Sequence, residues 1–446
     1  MNRKLLALLM AASLAACGGS SDDSSGDGDS TDTGGDGGNT QVGFTTLPSV
    51  EGYPVVWAIE SADLNGDDWN DLILLRVADE NGRDAYFQVL INDKEQGFTD
   101  NTSDYFDDAT LPFAPQTFHL VDLTGNDKVD IVPVNSTHKD SPLFIQSETN
   151  RFIKSNNFDF APLYQHDIST VNAWRILPGN VNSDGQLDLI MSIETWDPVA
   201  EIMNPYWVAM INQGNIDGMP HFVAEHWPVI FEDDTTMPYF FSGTSVDITG
   251  NGLSDIVYGG PAWQDGWVDQ TVPLRILENQ SGAWLDRPLT QGYGLVHMRD
   301  IVTADFNGND WADIAAISHG YDQQPFPLDR NWILTNQTGT LMAEQTNEAV
   351  ASQTGFTHSL ATGDHSGNGA PDLLLVDPIA NKPLRLLENN GQGQFSASNL
   401  DKPSDYKGGH FWLASQIVDL DNNGYGDIVL GGVQTENTDS IVIWAR

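Results

Sequence analysis

Asp and Asn side chains recur at a fixed spacing in seven short segments of this 446-residue chain. Each segment follows the pattern D-x-[NDTS]-x-[DN]-x-x-x-D, with Asn as the first residue in one copy. Alternate residues of a tight loop can direct side chains at one centre, and a hard divalent cation prefers six to eight oxygen ligands. The pattern therefore predicts a cation site in which positions 1, 3, 5 and 9 offer side-chain oxygens and position 7 its carbonyl. Gly at position 4 or 6 allows the sharp bend.

We call these segments loops 1 to 7, numbered in chain order. Three carboxylates occupy the predicted ligand positions in loops 1 and 7 and two in each of the others, so loops 1 and 7 are predicted to bind a cation most tightly. The predicted metal ligands are Asp63, Asn65, Asp67, Asp71, Asp122, Thr124, Asn126, Asp130, Asn180, Asn182, Asp184, Asp188, Asp247, Thr249, Asn251, Asp255, Asp305, Asn307, Asn309, Asp313, Asp364, Ser366, Asn368, Asp372, Asp419, Asp421, Asn423 and Asp427.

A second interpretation of the same loops needs no metal. Asn and Asp side chains accept hydrogen bonds from backbone amides two or more residues ahead, and such turns are stable without a metal ion. This alternative is strongest for the copies in which position 3 has only a hydroxyl, namely Thr124, Thr249 and Ser366.

Each loop lies within a similar run of strand-forming sequence. An alternating segment such as residues 55–59 precedes loop 1, and an apolar segment such as residues 71–75 follows it. A third apolar segment ending in Asn, as at Asn92, leads through a turn to a fourth such as Gly97-Phe98-Thr99. The loops recur about every 59 residues, which suits a repeat of four short strands.

The two ends of the chain complement each other. The last repeat stops after its third strand, at residues 441–444, whereas Gly43-Phe44-Thr45 near the start matches the fourth-strand segment Gly97-Phe98-Thr99. We therefore predict an all-β fold, a seven-bladed β-propeller of four-stranded blades, closed by an N-terminal strand that completes the last blade. An open stack of repeats is the alternative, although such a stack would require capping repeats.

The repeats resemble FG-GAP/VCBS repeats, which form the integrin α-subunit propeller and occur in many bacterial surface proteins. The resemblance covers about residues 42–446 and is specific for the fold but weak for the function. It implies that the loops bind Ca²⁺ through the side chains at the positions given above, mainly to stabilise the fold.

The N-terminus has the features of an export signal. Residues 1–16 combine Arg3 and Lys4 with a short apolar run and small residues, which is typical of a secretory signal peptide. Leu14-Ala15-Ala16-Cys17 resembles the lipobox of bacterial lipoproteins, which implies lipidation of Cys17; an ordinary signal peptide is the alternative. Residues 17–41 form a flexible acidic Gly/Ser/Asp linker, and residues 42–446 form the propeller. Gly18 fits sorting to the outer membrane, so the predicted membrane contact is the lipid alone.

Net charge and cysteine content exclude several functions. The chain has 63 acidic and 19 basic residues, a formal net charge of −44. Phosphate backbones would repel such a protein, so we exclude nucleic acid as a partner. A single Cys excludes an internal disulfide bond and a cysteine-based zinc site.

Aromatic and titratable residues are predicted to gather on the face opposite the loops. In propellers of this kind that face is formed by residues before each first strand and by the connections between second and third strands. The ligand-binding candidates there are Trp57, Trp174, Trp196, Trp263, Trp267, His319 and Tyr321. Aromatic rings stack on sugars and anchor protein interfaces, but the same residues also suit packing between blades.

Two classes of function fit this face. The first is a binding or adhesion module for a glycan or a cell-envelope protein. The alternative is a polysaccharide lyase in which His297 or His358 acts as the base and Arg299 neutralises a uronate. The sequence has no local catalytic motif, so it favours the binding module over the enzyme. The oligomeric state and the ligand are left open.

Overall fold

The computed structural model describes residues 47–78, 84–94, 97–111, 115, 117–134, 142–159, 172–197, 202–232, 242–259, 273–289, 298–318, 320, 330–338, 357–377, 384–400, 412–433 and 441–444. Nearly all regular structure in these residues is β-strand, and the strands form seven small sheets, numbered 1 to 7 in chain order.

The first four sheets contain the first nineteen strands. Sheet 1 comprises β1 (Val55–Ala62), β2 (Asp71–Val77), β3 (Ala85–Asn92), β4 (Phe98–Asp100) and β5 (Thr110–Leu111), with helix α1 (Thr102–Tyr105) before β5. Sheet 2 comprises β6 (Thr117–Val121), β7 (Asp130–Val134), β8 (Leu143–Gln146) and β9 (Phe152–Ser155). Sheet 3 comprises β10 (Phe158–Asp159), β11 (Asn172–Gly179), β12 (Asp188–Asp197), β13 (Ile202–Ile216) and β14 (Met219–His226). Sheet 4 comprises β15 (Val229–Phe231), β16 (Ser242–Val246), β17 (Asp255–Gly259), β18 (Arg275–Asn279) and β19 (Trp284–Pro288).

The last three sheets contain the remaining ten strands. Sheet 5 comprises β20 (Met298–Ala304), β21 (Asp313–Ser318) and β22 (Trp332–Leu334). Sheet 6 comprises β23 (Ser359–Gly363), β24 (Asp372–Val376), β25 (Leu384–Asn389) and β26 (Phe395–Leu400). Sheet 7 comprises β27 (Trp412–Val418), β28 (Asp427–Gly432) and β29 (Ile441–Trp444).

Consecutive strands of each sheet pair antiparallel, as expected for a chain of hairpins, except that β5 pairs with β3. We call β10 and β15 linker strands and leave them out when the strands of a sheet are numbered first to fourth. Each linker strand pairs parallel with the outermost strand of its sheet and covers that edge. The second strand is an apolar run that is buried along its whole length, as in β2 and β28. A strand buried on both faces needs no alternation of polar and apolar residues, which explains these runs.

The hydrophobic core lies between neighbouring sheets and is divided into seven clusters. The cluster between sheets 1 and 2 is rich in Phe, and Phe87 contacts Phe118 and Phe144 edge to face with ring centroids 5.2 and 5.4 Å apart. Such rings fill the space between neighbouring sheets.

The sheets follow one another around a ring. Each contacts the next in chain order, and β1 of sheet 1 contacts β27 and β28 of sheet 7. We call this last contact the seam. Leu47 packs there in the same cluster as Val56 and Ile443. Glu60 and Asp300, on sheets 1 and 5, are close enough that Asp300 adds to the effect of burial and raises the pKa of Glu60 to about 8. First strands of non-neighbouring sheets thus face a common centre.

The prediction of an all-β propeller is confirmed by this arrangement. The prediction of seven complete blades stays a prediction, because sheets 5 and 7 have three described strands each. The segment predicted to close the ring, residues 43–45, lies outside the described residues, as do the signal peptide, Cys17 and the linker.

Candidate functional site

The seven loops occupy equivalent places in the seven sheets. Each connects the first strand of its sheet to the second, and position 9 is the first residue of that second strand. The chain passes through the left-handed region at positions 4 and 6 of every loop; in loop 1, Gly66 has φ of 82° and Asp68 has φ of 64°. Folding therefore brings the repeated pattern to one face of the ring.

The carboxylate at position 1 caps the loop that follows it. Asp63 Oδ1 accepts hydrogen bonds from the backbone amides of Gly66 at 2.7 Å and Asp67 at 3.1 Å, and Oδ2 accepts one from Asp68 at 2.8 Å. Burial opposes ionisation of Asp63, but its backbone donors outweigh burial and lower its pKa. The same capping recurs at Asp122, Asp247, Asp305 and Asp364.

Position 1 of loop 3 differs because it is an amide. Asn180 Oδ1 accepts from the backbone amide of Ser183 at 3.0 Å, and its Nδ2 donates to the carbonyl of Gly252 in loop 4 at 3.2 Å. Asn180 therefore joins two loops instead of adding a negative charge.

The side chain at position 5 holds the second half of the turn. Its oxygen accepts a hydrogen bond from the backbone amide at position 7 in all seven loops, at 2.7 to 3.0 Å. In loops 2, 4, 5 and 6 this residue is Asn, and its Nδ2 also donates to a carbonyl at the end of the third strand. These contacts are those of the metal-free turns considered in the sequence analysis.

Position 9 is an Asp that is fully buried in all seven loops. In loop 1, Asp71 Oδ1 accepts from the backbone amide of Asn92 at 2.8 Å and Oδ2 from that of Leu64 at 3.0 Å. Burial outweighs these donors and raises the pKa of Asp71 to about 6 and that of Asp130 to about 7. Position 9 thus ties the loop to the second and third strands.

Position 3 has no common role. Asn307 Nδ2 donates to both carboxylate oxygens of Asp313, at 3.1 and 3.0 Å, whereas Asn182 Nδ2 donates to Asp184 at 3.0 Å. Asn65 Oδ1 has no access to solvent and no hydrogen-bond partner. A buried oxygen without a donor is costly, and a cation in loop 1 would satisfy it. The residues present therefore fit the metal that the pattern implies.

Loop 7 has the densest group of carboxylates. One oxygen from each of Asp419, Asp421 and Asp427 lies within 4.8 Å of the others, and among the described residues no other group of three His, Cys, Asp or Glu meets this limit. Burial, and then the nearby charge of Asp419, raise the pKa of Asp421. Like charges at this spacing repel one another unless a cation or a proton neutralises them.

Loop 1 lacks this arrangement although it has the same number of carboxylates. Lys94 Nζ lies 3.5 Å from Asp67 Oδ2 and 5.5 Å from the centre of the Trp69 ring. This lysine follows the third strand of sheet 1, two residues after Asn92, and lies outside the repeated pattern. The structure thus separates the two loops that the charge count ranked equal.

Comparison with protein families supports the repeat assignment. Residues 364–430 match the family described as FG-GAP-like repeat, and they run from position 1 of loop 6 into β28 of sheet 7. This match and the ring of sheets together support an FG-GAP β-propeller. A comparison with curated proteins found no match.

The loops of the propeller face away from the predicted ligand-binding rim. Trp57 and Arg299 lie six residues before loops 1 and 5, at the opposite end of the first strands, where the register with the second strand shifts. The same shift recurs at Trp174 and Leu413. The same backbone irregularity therefore recurs at this position in four of the sheets.

Only some of the predicted rim residues can be placed. Trp57 is half-buried and packs against the core between sheets 1 and 2, so it contributes to packing. His358 directly precedes β23, in the sheet next to that of Arg299. Trp174 and Trp196 belong to β11 and β12, but their side chains lie outside the described residues, as do His297, Trp263, Trp267, His319 and Tyr321.

Within the described part of the chain, no helix has the length and hydropathy needed to cross a membrane.

Proposed function

We propose that this protein is a binding module of the bacterial cell envelope whose propeller is stabilised by Ca²⁺ and anchored by a lipid on Cys17. An FG-GAP propeller suggests a binding or adhesion module. The observation that carries the metal proposal is the group of three carboxylates at Asp419, Asp421 and Asp427.

Loop 7 would hold the ion through these three carboxylates and Asn423, and loop 1 through Asp63, Asn65, Asp67 and Asp71. Bound Ca²⁺ would supply positive charge and would coordinate several oxygen atoms of the loop at once. This coordination would cross-link the parts of the loop. The chain's own residues preorganise this site, because backbone amides already fix positions 1, 5 and 9. The weaker loops would fill at higher Ca²⁺ concentration.

The partner would be a glycan or a cell-envelope protein bound on the face opposite the loops. Supporting this, Arg299 and His358 come from neighbouring sheets and lie at that end of their first strands, in a chain with few bases. A cationic group there would favour an acidic partner. The lipid would anchor the protein in the outer membrane, and the flexible linker would hold the propeller beside that membrane on its periplasmic or surface side.

Calorimetric titration of the chelated protein with CaCl₂, combined with thermal melting, tests the metal proposal. We expect binding and a rise in Tm, since a ligand at a hundred times its Kd stabilises the folded state by about 2.7 kcal/mol. Asp421→Asn should weaken the tightest binding step. The matched control is Asp310→Asn, which removes an exposed charge at position 6 of loop 5. Absence of heat and of any Tm change in the unsubstituted protein would reject the proposal.

Two further measurements test the anchor and the partner separately. Cys17→Ser should release the protein from the membrane fraction of the cells that make it. A glycan array probed with the Ca²⁺-loaded protein, compared with Arg299→Ala, should give signals that depend on this arginine. Membrane retention of the Ser variant would contradict lipidation, and array signals that Arg299→Ala leaves unchanged would contradict the proposed face.

A further inference from the structure

A buried carboxamide stands at or just after the third strand in six of the seven sheets. Asn and Gln are mostly exposed in proteins and are buried only when hydrogen-bonded. The described residues of this kind, all at most 4 % exposed, are Asn92, Gln146, Asn212, Asn279, Asn336 and Asn389.

Each carboxamide reaches back to the loop of the preceding sheet. Asn279 of sheet 4 donates from Nδ2 to the carbonyl of Val181, at position 2 of loop 3, at 3.0 Å. The carbonyl acceptor is at position 2 of the preceding loop in every case, at 2.7 to 3.0 Å. The acceptors are Leu420, Leu64, Leu123, Val181, Ile248 and Phe306.

The same residue is also fixed to the loop of its own sheet. The backbone amide of Asn279 donates to Asp255 Oδ1 at 2.8 Å, and Asp255 Oδ2 accepts from the amide of Ile248 at 3.0 Å. The carbonyl of Ile248 then accepts from Asn336 of sheet 5 at 2.8 Å. Position 9, position 2 and the next carboxamide thus form one continuous series of hydrogen bonds from sheet to sheet.

The series also crosses the seam. Asn92 Nδ2 of sheet 1 donates to the carbonyl of Leu420 in loop 7 at 2.7 Å. Asn70 Nδ2 donates to the carbonyl of Asp419 at 3.0 Å, and Asn422 Nδ2 donates in the opposite direction to that of Asp68 at 3.0 Å. The loop with the densest carboxylates is therefore held in place by the sheet at the other end of the chain.

We infer that the loops are coupled in one direction around the ring: among the described residues, every loop except loop 6 is held by a carboxamide of the sheet that follows it, and loop 7 is held by Asn92 across the seam. Removal of a carboxamide leaves a buried carbonyl of the preceding loop without its donor. Its own loop loses only a longer side-chain contact, 3.4 Å from Asn279 Nδ2 to the carbonyl of Ser254, and keeps the bond from the backbone amide to position 9. The loop that loses most stability should therefore be that of the preceding sheet, not that of the sheet with the substitution. Cation occupancy would be coupled in the same way, a consequence that rests on the proposed Ca²⁺ binding.

Hydrogen exchange of the chelated, full-length chain tests the coupling without any metal. We expect Asn279→Leu to accelerate amide exchange by about tenfold or more in residues 180–188, with little change in residues 305–313. Asn92→Leu should do the same to residues 419–427. The control is Gln280→Ala, which alters the exposed neighbour of Asn279. Unchanged exchange in the preceding loop, or equal acceleration in the following loop, would overturn the inference.

A milder variant and a titration complete the test. Asn279→Ser removes the hydrogen bond to the carbonyl of Val181 with a smaller change in the core, and it replaces Asn279→Leu if that variant does not fold. It should likewise accelerate exchange in the loop of the preceding sheet. In CaCl₂ titrations, Asn92→Leu should weaken the tightest step about tenfold and Asn279→Ser should leave that step unchanged. If the unsubstituted protein binds no Ca²⁺, the proposed function fails, while the exchange measurement still decides the coupling. Equal effects of the two variants on the tightest step would contradict coupling across the seam.

Discussion

Gly431 of sheet 7 lies against Val56 of sheet 1 so closely that a Cβ on Gly431 would be 2.4 Å from Val56 Cγ1. The same Cβ would lie 2.9 Å from Ile59 Cδ1. No side chain other than hydrogen fits at this point of the seam. The first and last sheets of the chain therefore pack directly against each other.

Gly431→Ala should destabilise the protein by about 1–3 kcal/mol, because an added methyl group in a packed core forces its neighbours to move. Val56→Ala makes room for that methyl group. The double variant Val56→Ala/Gly431→Ala should therefore be more stable than the sum of the single effects predicts, as urea unfolding can measure. Strict additivity in this cycle would show that the two residues do not meet.

Asp313→Asn tests the structural role of position 9. Both oxygens of Asp313 accept from backbone amides, Asn336 at 2.6 Å and Phe306 at 2.9 Å. An Asn side chain offers only one acceptor and turns an N–H group toward a donor, so we expect a loss of about 2–3 kcal/mol in the free energy of unfolding. Asp310→Asn, three positions earlier and exposed, should change stability by less than about 0.5 kcal/mol. Similar losses in both variants would contradict this role.

The pH dependence of the chelated protein should be unusual. Burial raises the pKa of Asp130 to about 7 and that of Asp188 to about 6, above the value of about 3.9 in an unfolded chain. Between pH values of about 4 and about 7, the folded state therefore binds more protons than the unfolded state. The free energy of unfolding then falls as the pH rises through this range. We expect a higher Tm at pH 5.5 than at pH 8.

Asp130→Asn isolates this effect from the general repulsion of a net charge of −44. The variant removes one titrating group but leaves the remaining charges, so the difference in Tm between pH 5.5 and pH 8 should shrink. A difference as large as that of the unsubstituted protein would show that Asp130 does not titrate in this range. A higher Tm at pH 8 in both proteins would contradict the raised pKa values as a group.

Sheet 4 contains a fully buried group of three polar side chains, Tyr258, Arg275 and Asp286. Arg275 Nε donates to Asp286 Oδ1 at 2.6 Å, and the Tyr258 hydroxyl donates to Asp286 Oδ2. Asp286→Asn leaves a buried guanidinium without its counter-charge, so we expect a loss of about 3–5 kcal/mol. Glu278→Gln alters the partly exposed pair with Arg287 on the same two strands and should cost less than about 1 kcal/mol. Urea unfolding should show a clearly larger loss of unfolding free energy for Asp286→Asn than for Glu278→Gln. Equal losses would contradict the idea that burial makes the Arg275–Asp286 pair costly to break.

The spacing of local motifs predicted much of the fold. Asp71 and Asp427 each begin the second strand of their sheet, as expected from the apolar runs that follow them. The left-handed positions of the loops were predictable where Gly occupies position 4 or 6, since few other residues adopt that conformation. Linker strand β10 was not predicted, because a two-residue strand has no periodicity of its own and forms only against β14.

The candidate site was predicted less completely. Loops 1 and 7 have the same number of carboxylates, so the sequence predicts equal affinity for a cation. The pairing of Asp67 with Lys94, by contrast, depends on how β3 and the turn after it lie beside loop 1. Trp57 stays a candidate for ligand binding, and the structure adds that this half-buried residue also packs against the core between two sheets. Neither contact has a signature in local spacing.

The sequence alone determined the repeat, because hydrogen bonds within nine residues and the burial of apolar runs depend only on neighbours along the chain. Tertiary structure alone decided which loop each carboxamide supports, which side chains pack at the seam and which of the two loops with three carboxylates brings them together. Asn92 and Leu420 are 328 residues apart, and only the curvature that accumulates over successive packed sheets brings such distant residues together.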